Sequence, residues 1–270
     1  MTENTIVDAR RSLLIGADDP IPAGARFVEA RFTAPERIWT TTVEGALRAS
    51  LDNGVLAGPR SREHGVFPLP DSARLAATLA DAEIEIDTPV VVYAATPEDA
   101  KAAARAWFVL RDAGVHDVRL LDGGADAWRV RQSAESARGE NVATSESADT
   151  VGIAPVPRAI DATDTAEIGH TGVLLDARPA SAHAKGHIPG AVSAPGEELF
   201  VDGRLRAASE LEDWAGELGV SRDTPVGAYC GGGVAAAGTV FALATIGIEA
   251  PLYVGSWSQY SADPDNPVEA

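Results

Sequence analysis

Apolar and polar positions follow two patterns along the chain, short β-branched runs and longer runs with helical spacing. Residues 88–95 form an apolar run opened by Thr-Pro, which predicts a buried strand. Residues 99–114 follow with helical spacing and end in a glycine, and a short apolar run at 118–124 predicts the next strand. This order of strand, helix and strand is typical of a parallel α/β sheet.

The second half of the chain repeats this order. A strand opened by Thr-Pro is predicted at 224–231, a helix at 235–247 and a strand at 250–256. The starts of the halves also match, because 26–31 and 173–178 both end in an acid, Ala and Arg. Duplication of this kind predicts two similar α/β domains, each with a mostly parallel sheet and helices on both faces. Chance resemblance between two α/β segments is the alternative.

A change of composition in the middle of the chain marks the predicted boundary between these domains. Residues 132–150 are small and polar and include no aromatic side chain, as in an exposed linker. We therefore predict an N-terminal domain over 1–131, a linker over 132–150 and a C-terminal domain over 151–270. Aligning the halves places Ala94 where the second half has Cys230, so the first domain lacks the single cysteine.

Charge and composition narrow the classes of partner and compartment. The chain has 40 acidic and 22 basic residues and a formal charge of −18, which disfavours binding to nucleic acid or anionic membranes. No apolar run approaches the roughly 20 residues of a membrane span, and the N-terminus lacks the apolar core of a signal peptide. One cysteine permits no internal disulfide, which suits a reducing compartment. We expect a cytoplasmic protein.

The single cysteine lies at a position suited to chemistry. An apolar strand leads into Cys230, and the helix predicted to follow begins at 235. The sulfur would therefore lie at the carboxyl end of a parallel strand, where α/β sheets place their sites. Backbone N–H groups of the loop and the positive end of the helix dipole would favour a thiolate or persulfide, with no metal or cofactor. This predicted binding loop consists of Gly231, Gly232, Gly233, Val234 and Ala235.

Five alternatives to a reactive cysteine loop fit these residues less well. A lone buried cysteine is often inert packing, but three consecutive glycines cost backbone entropy and need a reason. A Walker loop requires Lys and Ser or Thr after its glycines, and a dinucleotide fingerprint requires Gly-x-Gly-x-x-Gly; neither is completed. A cysteine phosphatase needs an arginine about six residues after the cysteine, where this chain has Ala236. A non-catalytic structural protein would leave the loop unexplained.

Four segments of the chain are landmarks: the cysteine loop, Leu175-Asp176-Ala177-Arg178, Gly186-His187-Ile188-Pro189-Gly190-Ala191, and Gly255-Ser256-Trp257-Ser258. Taken together, they resemble the two-domain rhodanese-type sulfurtransferases. The resemblance covers nearly the whole chain and implies two tandem rhodanese-like domains, of which the second is catalytic. It implies that Cys230 takes a sulfane sulfur from 3-mercaptopyruvate or thiosulfate as a persulfide and passes it to a thiophilic acceptor such as cyanide or a thiol.

The resemblance also implies a donor and several cleft residues. Cysteine loops with Gly-Ser-Gly-Val-Thr are associated with 3-mercaptopyruvate and loops with Arg-Lys-Gly-Val-Thr with thiosulfate, and this neutral loop is similar to the first. Arg178 matches the arginine that binds the donor's anionic group, with a salt bridge inside the protein as the alternative. Asp52 matches an aspartate that lines the cleft in mercaptopyruvate enzymes, and His64 lies near enough along the chain to reach it.

The chain departs from the family pattern at several positions. Gly232 and Ala235 replace hydroxyl side chains that are usual in mercaptopyruvate loops, and no second arginine follows shortly after Arg178. The first domain has also lost the Gly-His-Ile-Pro-Gly turn, in which we expect His187 of the second domain to bond backbone groups. These losses support a second hypothesis, a low-turnover sulfur carrier or persulfide-binding module that acts with a partner protein. A protein is then also a candidate sulfur acceptor.

Overall fold

The computed structural model describes residues 3–35, 38–138, 144–145 and 157–270. Its helices are α1 (Glu3–Leu13), α2 (Ser72–Asp81), α3 (Ala100–Asp112), α4 (Gly124–Arg138), α5 (Ala162–Thr171), α6 (Ala180–His183), α7 (Ala208–Glu217), α8 (Ala235–Thr245) and α9 (Ser256–Tyr260). Its strands are β1 (Leu14–Ile15), β2 (Ile21–Pro22), β3 (Arg26–Arg31), β4 (Leu47–Ser50), β5 (Val90–Ala94), β6 (Val118–Leu121), β7 (Thr144–Ser145), β8 (Ala159–Ile160), β9 (Val173–Asp176), β10 (Ala191–Ser193), β11 (Phe200–Val201), β12 (Arg204–Leu205), β13 (Val226–Tyr229) and β14 (Leu252–Tyr253).

Each half of the chain builds a sheet whose neighbouring strands all run parallel. Across the described residues, the N-terminal sheet has the order β1-β6-β5-β3-β4 and the C-terminal sheet has the order β8-β14-β13-β9-β10. The two orders correspond strand by strand, which confirms the predicted duplication and the α/β class. The strands β11 and β12 form a separate antiparallel hairpin, and β2 pairs with β7.

The elements predicted around the cysteine form, but the strands end earlier than their apolar runs. The run predicted at 224–231 contributes β13 only as far as Tyr229, because the chain bends away from the sheet at the glycine loop. The run predicted at 250–256 contributes only the two residues of β14, since Ser256 adopts a positive φ of 53° that extended backbone does not allow. In both places the strand ends where the chain begins to form the segments around Cys230.

The first part of the segment predicted as a linker is helical. Residues 132–138 continue α4. A buried ion pair between Arg131 and Glu135, one helical turn apart and with side chains 5% and 7% exposed, stabilises this part of the helix. Of the remaining predicted linker, Thr144–Ser145 forms β7, and 139–143 and 146–150 lie outside the described residues. The domain boundaries stay a prediction.

Side chains of the central N-terminal strand alternate between two hydrophobic cores. Val90, Val92 and Ala94 of β5 face a large core that extends into the C-terminal half. Val91 and Tyr93 point to the opposite face, into a smaller core under α4. This period of two is the geometry of a strand buried on both faces, which explains why its sequence is continuously apolar.

The central strand of the second sheet follows the same alternation, and it places the cysteine on the inner face. Ala228 and Cys230 belong to the large core that joins the two halves, whereas Tyr229 points to the outer core. Helices α3 and α8 pack together between the sheets, with Trp107 and Phe241 in edge-to-face contact at a centroid distance of 5.1 Å. The cysteine therefore lies where both halves meet. Among the described residues, no helix has both the length and the apolar character needed to cross a membrane.

Candidate active site

The sulfur of Cys230 lies at the carboxyl end of β13, as the sequence predicts. The residue is 3% exposed, and the loop after it curls back so that the Gly233 N–H donates to Sγ at 3.1 Å. The Cys230 N–H donates to Oγ of Ser256 at 3.2 Å. A backbone N–H that points at sulfur stabilises a thiolate or a persulfide better than a neutral thiol.

The five residues of the predicted binding loop do not contribute equally to this contact. Among the hydrogen bonds of the described chain, Gly233 is the loop residue whose N–H reaches the sulfur. Val234 is buried beneath the loop, and α8 begins at Ala235, so the helix terminus lies beside the cysteine as expected. Stabilisation of a bound sulfur by the N–H groups of the other loop residues stays a prediction.

The three glycines of the loop are needed for different reasons. A side chain at Gly233, which has a φ of +80°, would bring Cβ within 2.7 Å of the Val254 carbonyl oxygen. At Gly232, Cβ would lie 3.0 Å from the Phe67 ring, so a side chain there would crowd Phe67. Gly231 is exposed and has open space around it. The loop is therefore approachable from solvent over Gly231.

The segment Gly255–Ser258 holds the backbone of the cysteine through hydrogen bonds. Ser256 is fully buried, accepts from the Cys230 N–H and donates to the carbonyl of Tyr253 at 2.8 Å. The Trp257 N–H donates to the Cys230 carbonyl at 2.9 Å. Both backbone groups of the cysteine are thus held by one short segment. The sequence marked this segment as a family landmark without showing that it positions the nucleophile.

Arg178 lies two residues after the end of β9, the strand that pairs with β13, but its guanidinium already binds within the protein. Nε donates to both carboxylate oxygens of Asp176 at 2.9 Å, and Nη2 donates to the Gly186 carbonyl at 2.8 Å. Trp257 covers the group, with Cζ 4.3 Å from its ring centroid. Burial acts to lower the pKa of Arg178, but the hydrogen bonds and charge of Asp176 outweigh it and raise the pKa.

Tyr229 completes this cluster around Asp176. Its hydroxyl donates to Oδ2 of Asp176 at 2.7 Å and accepts from the Ile188 N–H at 3.1 Å. Burial, followed by the charge of Asp176, raises the pKa of Tyr229, so the phenol stays protonated as the hydrogen-bond donor. The cluster ties the end of β9 to the turn that contains Ile188.

The N-terminal half contains the same cluster without a cysteine. Glu29 accepts from the Tyr93 hydroxyl at 2.9 Å and from Nη2 of Arg31 at 3.0 Å, and the Val43 N–H donates to the Tyr93 hydroxyl at 3.0 Å. Because the arrangement recurs where no sulfur chemistry takes place, the acid–arginine pair is a feature of the fold. The salt bridge that the sequence analysis gave as the alternative role of Arg178 is therefore present. Donor binding by Arg178 stays a prediction.

The two tentative cleft residues lie in different surroundings. Asp52 is exposed, accepts from the Ser50 hydroxyl at 2.6 Å and lines a cavity of about 580 Å³ that Arg60 and Phe67 also line. Since Phe67 contacts the cysteine loop, this cavity adjoins the site. The His64 side chain is 62% exposed and is not among the residues that line the cavity. Asp52 therefore lies in a cavity beside the site and His64 lies outside that cavity, and a role in the cleft stays a prediction for both.

His187 has the structural surroundings expected from sequence. Its Nδ1 lies 3.1 Å from the His183 carbonyl oxygen, and the two imidazole rings stack at 3.8 Å. The backbone of His187 pairs with that of Glu269. These contacts confirm that His187 bonds backbone groups, and they fasten the C-terminal residues to the turn.

A loop of the N-terminal half forms one wall of the site. Gly65 packs so closely on Gly255 that a Cβ would lie 2.7 Å from its carbonyl oxygen. The Val66 N–H donates to Oγ of Ser258 at 3.0 Å, and Phe67 then reaches the cysteine loop. The half without a cysteine thus forms part of the site in the half that has one.

Sequence reasoning missed one charged residue at the site. Arg105, on α3 of the N-terminal half, is fully buried behind the cysteine loop. Its guanidinium donates to three carbonyl oxygens, those of Leu56 at 3.2 Å, Phe67 at 3.0 Å and Gly233 at 3.4 Å. A loop that is neutral in sequence therefore has a cation supplied by the other domain.

Burial lowers the pKa of Arg105 to about 10, so the side chain keeps its charge at neutral pH. The attraction of Cys230, and then of Asp112, acts against that shift. One signal in the sequence was available, because α3 is apolar and Arg105 interrupts a run of small and aromatic residues. A charge in a helix that is buried all round is a candidate functional residue.

The chain has clear relatives among known proteins. The Rhodanese-like domain family matches residues 23–131 and 160–263. A putative thiosulfate sulfurtransferase, SseB, from Mycobacterium tuberculosis is 38% identical over 241 residues, covering 83% of this chain and 80% of the relative. The 3-mercaptopyruvate sulfurtransferase of Escherichia coli is 31% identical over 277 residues, covering 93% of each chain.

A solved structure shows the same architecture. The crystal structure of SseA from Escherichia coli, a 3-mercaptopyruvate sulfotransferase, superimposes with a TM-score of 0.67 at 29% identity, covering 91% of this chain and 98% of the other. Two matched domains, the shared sheet order and these relatives agree with the cysteine loop. The chain therefore belongs to the two-domain rhodanese-type sulfurtransferases.

Proposed function

We propose that this protein transfers sulfane sulfur from 3-mercaptopyruvate to a thiophilic acceptor through a persulfide on Cys230. One observation carries the proposal: the sulfur lies at the end of β13 with the Gly233 N–H donating to it at 3.1 Å. A single-cysteine site of this kind can hold an anionic sulfur without a metal, and a persulfide is that anion with one more sulfur atom.

The first half-reaction conserves atoms and charge. The Cys230 thiolate attacks the sulfur of 3-mercaptopyruvate, a sulfur–sulfur bond forms and the carbon–sulfur bond breaks with its electron pair on carbon. The resulting pyruvate enolate takes the proton that the donor thiol releases, so the products are pyruvate and the Cys230 persulfide anion. With thiosulfate as donor the leaving group is sulfite. The protein holds the reacting sulfur and places a backbone N–H beside it.

The second half-reaction restores the cysteine. An acceptor thiolate or cyanide attacks the outer sulfur, the sulfur–sulfur bond breaks and the electron pair returns to Cys230 as the thiolate. Cyanide becomes thiocyanate and a thiol becomes a persulfide. Gly231 is exposed with open space around it, which supports approach of a small acceptor from that side.

The choice of donor rests on the charge and shape of the loop. No charged side chain occurs from 230 to 236, and the Arg105 guanidinium behind the loop donates to carbonyl oxygens. A monocarboxylate requires fewer cations than a thiosulfate dianion, which favours 3-mercaptopyruvate. The names of the relatives are divided between the two donors. Thiosulfate is therefore the second candidate donor.

The proposal is tested by turnover with each donor. Reduced protein is incubated with 3-mercaptopyruvate or with thiosulfate, cyanide is added and thiocyanate is measured, with Cys230→Ser as the control. We expect thiocyanate from 3-mercaptopyruvate at a higher rate than from thiosulfate, and none above background in the variant. A faster reaction with thiosulfate would overturn the donor assignment but not the persulfide.

The alternative from sequence, a low-turnover sulfur carrier that acts with a partner protein, predicts a different result. It is supported by the missing loop hydroxyls and by Arg178, whose Nε and Nη2 both donate inside the protein. If neither donor gave thiocyanate while Cys230 accepted sulfur from a preformed protein persulfide, this alternative would replace the enzyme proposal.

A further inference from the structure

The cysteine loop has a buried positive charge behind it that comes from the other domain. Arg105 is 0% exposed, and each of its three guanidinium nitrogens donates to a backbone carbonyl oxygen. In the described part of the chain it forms no ion pair with a carboxylate. Burying a cation costs free energy unless an anion compensates it, and carbonyl dipoles compensate only in part.

The negative group best placed to compensate this charge is the cysteine itself. Cys230 lies in the same hydrophobic core that encloses α3, and its attraction on Arg105 exceeds that of Asp112. Asp112 lies two turns further along the same helix and is exposed. A charged sulfur at position 230 therefore meets a desolvated cation, and the low local dielectric strengthens their attraction.

One residue connects the guanidinium to the sulfur. The Gly233 carbonyl oxygen lies 3.4 Å from Nη1 of Arg105, and the Gly233 N–H donates to Sγ of Cys230 at 3.1 Å. A Cβ at Gly233 would lie 3.2 Å from the same Nη1, so the guanidinium packs directly against the loop. By holding that carbonyl, Arg105 fixes the orientation of the residue whose N–H reaches the sulfur.

We propose that Arg105 is a positioning residue for the sulfur chemistry: the cysteine-free domain supplies the buried cation that holds the glycine loop and stabilises the anionic sulfur of Cys230. The inference deepens the proposed sulfur transfer and rests on it. It also gives the N-terminal domain a part in the reaction beyond forming a wall of the cleft.

The test compares two reagents for the cysteine, neutral iodoacetamide and anionic iodoacetate. In Arg105→Met we expect the rate of alkylation by iodoacetamide at pH 7 to fall about tenfold, and the pH of half-maximal rate to rise by about one unit. The ratio of the iodoacetate rate to the iodoacetamide rate should also fall, because a local cation attracts the anionic reagent. Arg105→Lys, which keeps the charge but not the fork of hydrogen bonds, should restore most of this ratio.

Arg111→Met is the matched control. Arg111 is a buried arginine on the same helix, and it donates to the Val115 and His116 carbonyls near the end of α3. Removing it takes away a guanidinium of similar burial from the same domain without touching the loop. We expect the control to keep the wild-type reagent ratio and pH profile even if its stability falls.

Two results would overturn the inference. One is a reagent ratio and pH profile in Arg105→Met that equal those of Arg111→Met, which would make Arg105 a packing residue only. The other is an Arg105→Lys variant that folds and does not restore the ratio. Alkylation needs no donor, so its outcome is separate from the proposed function: absence of turnover in the wild type would refute the proposed activity and leave this result unchanged.

Discussion

The two halves of this protein share a sheet order and a buried acid–arginine–tyrosine cluster, yet only the second has a reactive sulfur. The backbones diverge directly after the aligned tyrosines, Tyr93 and Tyr229. The second half continues with the cysteine and three glycines, whereas the first continues with Ala94-Ala95-Thr96-Pro97. Proline has no N–H, so the position aligned with Gly233 cannot donate to a sulfur. The comparison shows that the fold determines where the central strand ends, and that a few loop residues determine whether a reactive sulfur is held there.

The half without a cysteine contributes in another way. At the position of Arg105, twelve residues after the aligned tyrosine, the second half has Phe241. A cation from the first half thus reaches the loop of the second, while an aromatic ring of the second half fills the shared core. The two copies have diverged into a half that carries the sulfur and a half that supports it.

The strongest test of this comparison exchanges the cysteine between the halves. Cys230→Ser should lower turnover by about a thousandfold or more, because no other side chain of the chain can form a persulfide. Adding Ala94→Cys should not restore turnover, since Pro97 offers no N–H at the place of Gly233. Thiocyanate production measures both variants. Recovery of activity in the double variant would show that the loop is dispensable.

The next test changes the glycines of the loop one at a time. Gly233→Ala should lower kcat by about a hundredfold, because the new Cβ meets the Val254 carbonyl and displaces the N–H from the sulfur. Gly231→Ala is the matched control, since open space surrounds that position. It should change kcat by no more than about threefold. Equal losses in the two variants would contradict the assignment of the donor to Gly233.

The acid–arginine clusters permit a test of stability in both halves. Asp176→Asn should lower the free energy of unfolding by about 3–5 kcal/mol, because Arg178 then keeps a buried charge without its partner. Glu29→Gln should cost less, since the side chain of Arg31 is 26% exposed and can be solvated. Urea denaturation at neutral pH measures both. A larger loss in Glu29→Gln would reverse the comparison.

The smallest expected effect is on how the stability of the protein depends on pH in the acid range. Burial acts to raise the pKa of Glu29, but hydrogen bonds from Thr42, Trp39, Tyr93 and Arg31 outweigh it and lower the pKa. A carboxyl with a lowered pKa in the folded state stabilises the protein above its unfolded pKa of about 4.3 and loses that contribution as the pH falls through the folded value. The difference in urea midpoint between wild type and Glu29→Gln should therefore shrink below about pH 4. If the difference in urea midpoint grew as the pH fell, folding would raise the pKa of Glu29 instead of lowering it.

Local patterns predicted much of the fold and part of the site. The apolar runs and helical spacing located β3, β5, β13, α3 and α8, because a strand buried on both faces is apolar throughout. The position of Cys230 followed from the end of its run and the glycines after it. The polar composition of 132–138 did not show that this segment continues α4, because composition does not reveal the buried pair of Arg131 and Glu135.

What the sequence could not predict depends on contacts between distant segments. Arg105 and Cys230 are 125 positions apart, and only the packing of α3 on α8 brings their surroundings together. The partners of Arg178 were also hidden, since a guanidinium near a cleft can bind a substrate or a neighbouring carboxylate equally well. The recurrence of the same cluster in the first half shows that the salt bridge belongs to the fold, and it is visible only in three dimensions.

The most direct test of the account is the mass of the protein after one exposure to 3-mercaptopyruvate without an acceptor. We predict an addition of about 32 Da, the mass of one sulfur, located on the peptide that contains Cys230 and removed by cyanide. The same addition should be absent from Cys230→Ser. An unchanged mass in wild-type protein that still releases pyruvate, or an addition that persists in the variant, would contradict the persulfide on Cys230.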